Sequence, residues 1–125
     1  MIPKVADVLP AFFVELESLL ARQGRSDLGE QLARLQVIDR CRCGDQNCSH
    51  FYTAPKPVGS YGAGHENLML PAERGLVVLD LVNGAIVAIE VLDRPDVKLP
   101  LDPIPSTRKL TASAARKAVE ADGRT

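Results

Sequence analysis

Three thiols and an imidazole crowd into ten residues, Cys41-Arg42-Cys43-Gly44-Asp45-Gln46-Asn47-Cys48-Ser49-His50. Side chains two apart in an extended strand share a face. Cys41 and Cys43 on an outgoing strand, a reversal over 44–47, and Cys48 and His50 on the return would therefore bring four soft ligands to one side. Zinc takes a tetrahedral set of thiolates and imidazole, and a Cys₃His set leaves no open position, so such a site would be structural. The spacing differs from the usual Cys-x₂-Cys knuckle, and a ten-residue hairpin is tight for four donors. Two other readings stay open: buried or free thiols without metal, and a Cys43–Cys48 disulfide. An odd cysteine count and a reducing compartment disfavour the disulfide. Cys48 beside His50 also has the makings of an activated nucleophile, but the sequence names no group to orient the imidazole.

A second segment with chemical potential is Gly59-Ser60-Tyr61-Gly62-Ala63-Gly64-His65-Glu66. It lacks the Gly-Lys-Ser/Thr of a phosphate cradle, and an apolar strand-like stretch follows rather than a helix whose amino end could hold an anion. His65 and Glu66 are the one adjacent acid/base pair in the chain, set at the exit of a glycine-rich surface loop.

The elements that must position these groups begin with helices. Leu9, Phe12, Phe13, Leu16, Leu19 and Leu20 form a stripe at three- and four-residue spacing, with Pro10 fit for a first turn and Gly24 for a stop. A second helix should start after Ser26, capped by its hydroxyl, burying Leu28, Leu32 and Leu35. As a helix-turn-helix, this pair would offer a groove only Gln31, Arg34 and Gln36. From Val37 the period changes to alternation, with strands expected at 37–43, 48–54, 66–70, 75–82 and 85–92. Asn83-Gly84 between the last two predicts a tight type I′ hairpin. A two-residue turn pairs Val82 with Ala85, Asp80 with Val87, Val78 with Ile89 and Leu76 with Val91 on one surface. Leu81 with Ile86, Leu79 with Ala88 and Val77 with Glu90 fall on the other. Both surfaces then read as apolar, which calls for helices over one and, over the other, a neighbouring chain, as in a homodimer, or the tail or the Pro-rich segment. The prolines at 95, 100, 103 and 105 predict an extended strap.

The fold class that follows is α+β, an N-terminal αα-hairpin packed on an antiparallel β-meander of about five strands. One domain spans 1–105, and 106–125 is a flexible basic tail. At 125 residues with 46% hydrophobic content, one unstapled core is feasible. The net charge of −1 argues against a partner bound through nucleic-acid phosphates. No apolar run approaches the length of a membrane span, and the amino terminus does not read as a signal peptide, so a cytoplasmic location is expected. Residues 37–105 carry an acidic excess suited to a basic partner.

The segment 41–45, Cys48, Phe51-Tyr52-Thr53-Ala54-Pro55 and the hairpin 75–91 together resemble small bacterial proteins of unassigned function that carry a Cys-x-Cys-Gly segment followed by Phe-Tyr-Thr. The hairpin also resembles a sheet-forming domain of that kind. The resemblance covers about residues 37–94 and implies no activity. In size and class the chain is also similar to immunity proteins of bacterial polymorphic toxins. That likeness implies a non-enzymatic binding protein that blocks a cognate toxin; the acidic sheet edge or the loop 59–66 would then be its contact surface, with Tyr61, His65, Glu66, Asp80, Glu90 and Asp93 as contact residues. The alternatives are a small hydrolytic or thiol-dependent enzyme using His65, Glu66 and Cys48 with His50, and a structural or regulatory zinc module.

Overall fold

The first helical stripe folds along the spacing of its apolar residues. A single turn, α1 (Val5–Val8), leads into α2 (Pro10–Arg22), which buries Phe12, Leu16, Leu19 and Leu20, and Leu9 is buried at its start. Pro10 sits in the first turn, where its missing amide leaves no bond unmade, and Gly24 ends the run at φ +68°. Leu28 and Leu32 are buried in α3 (Ser26–Leu32), but its cap differs from expectation. Ser26 is itself the first helical residue, and Arg25 precedes it without a side-chain cap, bonded instead to Asp27 at 3.1 Å. Nor is Gln31 free to enter a groove: it donates to Gly84 O and accepts from Ile86 N, at 2.8 and 2.9 Å, pinning α3 to the hairpin turn. The computed structural model describes residues 2–106, so all but the first residue of the expected tail lies outside the described residues.

Five antiparallel strands follow: β1 (Asp39–Arg40), β2 (Phe51–Tyr52), β3 (His65–Leu70), β4 (Leu76–Val82) and β5 (Ala85–Leu92), in the order β1-β2-β5-β4-β3. The chain is therefore an α+β fold. Strands β3 to β5 form a meander, while β2 pairs with β5, so residues 53–64 cross from mid-sheet to the far edge. The strands expected at 37–43 and 48–54 shrink to two residues each. Gly44 at φ +83° and the carbonyl of Asp45, which accepts from Cys48 N, turn the chain early. Cys48 then bridges to Leu92 of β5.

Asn83 and Gly84 both take positive φ, 50° and 84°, as a type I′ turn demands. Val82–Ala85 and Leu81–Ile86 pair as expected, and then the register slips by one: Asp80 faces Ala88, Leu79 Ile89, Val78 Glu90, Val77 Val91 and Leu76 Leu92. Val87 is the extra residue of a β-bulge, and its carbonyl accepts the amides of both Thr53 and Ala54. The slip sorts the strands by chemistry. Val77, Leu79, Leu81, Ile86, Ile89 and Val91 belong to the core with the helices, while Asp80 and Glu90 share the outer face. The continuous apolar outer face on which a covering second chain was argued is thus interrupted by charge.

The proline-rich strap is instead partly helical. Pro95 opens α4 (Pro95–Leu101), where it needs no donor, and Pro100 falls in the last turn of an element only two turns long. Burial of Val97 and Leu101 holds α4 on the core. Arg94, 2% exposed, anchors the junction. Its guanidinium meets Glu15 of α2 at 2.7 and 2.9 Å and Asp96 at 2.9 and 3.0 Å, over the ring of Phe12.

Candidate metal centre and polar sheet face

In the cysteine loop, the Asp45 side chain accepts the amide of Asn47 at 2.8 Å, and Cys41 N bonds His50 O at 2.8 Å. Ser49 N reaches Val91 O and Asp93 N reaches Asn47 O, which ties the returning arm to the end of β5. These bonds bring the Sγ atoms of Cys41, Cys43 and Cys48 within 4.8 Å of one another. Cys43 is exposed, Cys41 half-buried and Cys48 buried, and all three are free thiols. Burial, followed by the neighbouring thiols, pushes Cys48 up to about 12, while the amide of Asp45 and then the other two thiols lower Cys43. The three sulfurs therefore differ in solvation while sharing one point in space.

His50, the fourth expected ligand, lies outside that group of three. Its Nε2 is buried and has no hydrogen-bond partner among the described residues. Burial lowers its pKa, which favours the neutral imidazole that can ligate a metal. His50, Cys41 and Cys48 line one small cavity of about 10 Å³ against α4.

The outer face of the sheet holds a second polar group. Asp80, 5% exposed, accepts from Asn67 Nδ2 at 2.5 Å and meets His65 Nε2 at 2.8 Å. Asn67 also donates to Glu90 at 3.3 Å, and Tyr61 stacks on His65 with ring centres 4.8 Å apart. Glu90 is raised to about 7, first by its hydrogen bond to Asp80 and then by burial. The six residues expected as a partner surface thus divide. Tyr61, His65, Asp80 and Glu90 converge, with Asp80 turned to internal bonds, whereas Glu66 is exposed one step along β3 and Asp93 is exposed at a positive-φ turn. The sequence reading missed Asp80 as the partner of His65. The available signal was a carboxylate inside the apolar run Leu76–Val82, since a buried charge requires partners. Asn67 gave no signal, because its role depends on the β3–β4 register.

Among the described residues no helix is long and apolar enough to cross a membrane. No protein-family model, no curated protein and no solved structure matches this chain, so geometry alone carries its functional reading.

Proposed function

We propose that the chain is a non-enzymatic binding module whose cysteine loop is held by one zinc ion. The observation that carries this reading is the approach of Cys41, Cys43 and Cys48 to within 4.8 Å of one another. Thiolates placed about 2.3 Å from a tetrahedral zinc stand about 3.8 Å apart, inside that bound. His50 is the fourth ligand, on the strength of its buried, unpartnered Nε2 beside a cavity that Cys41 and Cys48 also line. Three thiolates and an imidazole fill the coordination sphere, so the ion fastens the loop to β5 and α4 and leaves no position for substrate.

Elemental analysis of protein purified without chelator should find one zinc per chain, lost together in Cys43→Ser and Cys48→Ser. Because the ligands meet only in the folded chain, binding free energy becomes folding free energy, and a strong chelator should lower the melting temperature as those substitutions do. Ser49→Ala serves as the neighbouring control. A fully folded, metal-free protein that takes up no added zinc and titrates three thiols would refute the proposal.

A further inference from the structure

Positive charge in the sheet half of the molecule is unevenly spent. Of the six cations between residues 37 and 105, Arg74 pairs with Asp96, Arg94 with Glu15 and Asp96, and Lys98 with Asp102. The other three, Arg40, Arg42 and Lys56, line a single groove of about 570 Å³ along the open edge of β1. Asp39 is the one carboxylate in its wall. It is already engaged by Arg42 at 3.0 Å, by the amide of Arg40 at 2.8 Å and by the hydroxyl of Ser106. Among the described residues, Arg40 and Lys56 have no ion-pair partner. The Nε of Arg40 is moreover buried without an acceptor.

The fold explains this concentration. Arg40 pairs with Phe51 and so ends the row Phe51, Ile89, Leu79, Leu68 at the sheet edge, where it is half-buried and its Nη1 donates to Cys41 O at 3.3 Å. Arg42 is fixed by its bond to Ile104 O at 2.7 Å, and Lys56 lies over the ring of Tyr52 at 5.5 Å. The walls between these charges are the ring of Tyr52 with Ile38 and Pro55. The groove thus combines three cations with the apolar surface of Tyr52, Ile38 and Pro55, and it is of the size that small-molecule sites have.

We propose that this groove binds a small molecule bearing a phosphate monoester on a flat, apolar body. Two guanidinium groups and an ammonium, offset by one carboxylate, leave two positive charges, the complement of a phosphate dianion rather than of a single carboxylate. None of the three cations is a ligand of the proposed zinc site, although Cys41 also lines this groove and Arg40 also lines the small cavity beside Cys48 and His50.

The test is an NMR titration of the ¹⁵N-labelled full-length protein, including the arginine Nε–H signals, with phenyl phosphate and, in parallel, benzoate. Phenyl phosphate should give saturable shifts at residues 38–42 and 52–56 and at Arg40 Nε–H. Each of Arg40→Gln, Arg42→Gln and Lys56→Gln should weaken binding by about tenfold or more, the scale of one lost charge-assisted hydrogen bond. Arg74→Gln should leave it unchanged. Lys56 is exposed, so its variant keeps the test sound if Arg40→Gln unfolds. Absence of saturation, indifference to Lys56→Gln, or tighter binding of benzoate than of phenyl phosphate would overturn the proposal.

Discussion

Glu90→Gln should make the protein more stable at alkaline pH and erase much of the pH dependence of its folding. Glu90 is half-buried beside Asp80, with Asn67 Nδ2 donating to both, and hydrogen bonding to the Asp80 carboxylate, followed by burial, raises its carboxyl from an ordinary 4.5 to about 7. A carboxyl whose pKa is raised on folding contributes its full stability below 4.5, where it is protonated in both states. That contribution is lost as pH climbs through about 7, where the folded chain must release a proton the unfolded chain has already given up. At full strength such a displacement corresponds to about 3 kcal/mol. Partial exposure of the side chain to solvent screens it, and about 1–2 kcal/mol is the magnitude to expect. The chain has no tryptophan, so urea unfolding is followed by far-ultraviolet circular dichroism at intervals from pH 4.5 to 8.5. The wild-type free energy minus that of Glu90→Gln isolates the carboxyl from every other titration. That difference should fall by about 1–2 kcal/mol across the window as the wild type loses ground. A difference that stays flat or rises with pH would refute the Asp80 carboxylate as the source of the shift.

Arg94→Met should cost about 2–4 kcal/mol in the same urea assay, because it leaves Glu15 and Asp96 facing each other without the guanidinium that joins them; a loss under 0.5 kcal/mol would mean that α4 docks through Val97 and Leu101 alone. Gly75→Ala should destabilise far more than Gly84→Ala, by calorimetric melting. Both glycines have positive φ, but a Cβ at Gly75 would stand 2.3 Å from the carbonyl of Leu92, while one at Gly84 meets nothing within 4 Å. Gln31→Ala should loosen the hairpin turn, seen as faster amide exchange at Ile86, by removing the two bonds that tie α3 to it.

The helical front was legible because its information is local: spacing alone selects the buried face of α2, and a proline and a glycine mark its ends. The β4–β5 hairpin was legible for the same reason, down to its turn. What failed was register beyond the turn. The bulge at Val87 is set by amides of Thr53 and Ala54, more than thirty residues away, and no local pattern encodes them. The strap failed differently. The prolines predict an extended strap, yet in a two-turn helix Pro95 falls at the start and Pro100 near the end, where each does least harm. In the cysteine loop the three thiols converge as their spacing suggested, with the returning arm tied to β5 as well as to the outgoing arm, and His50 stays outside the trio. Arg94 as an anchor was invisible, since nothing in Leu92-Asp93-Arg94-Pro95 says which way the side chain turns.

The bulge also decides how the two charged regions relate. Asp39, Tyr52, Ala88, Asp80 and Asn67 stand in one cross-strand row, with the cationic groove at the Asp39 end and the carboxylate pair toward the other. Three strand spacings separate Asp39 from Asp80, about 14 Å. That exceeds the screening length of about 8 Å at physiological ionic strength. The groove cations therefore do little to relieve the repulsion between Asp80 and Glu90, and the carboxylates do little to lower the groove's attraction for an anion. Had the register run without a bulge, Glu90 would face Val77 within the core, Asp80 would lack its carboxylate neighbour, and the outer face would carry one charge where it carries two. A single inserted residue thus brings a second carboxylate onto the outer face beside the first, at the end of the row away from the positive edge. It follows that Lys56→Gln and Glu90→Gln should act additively on stability and on anion binding, each blind to the other.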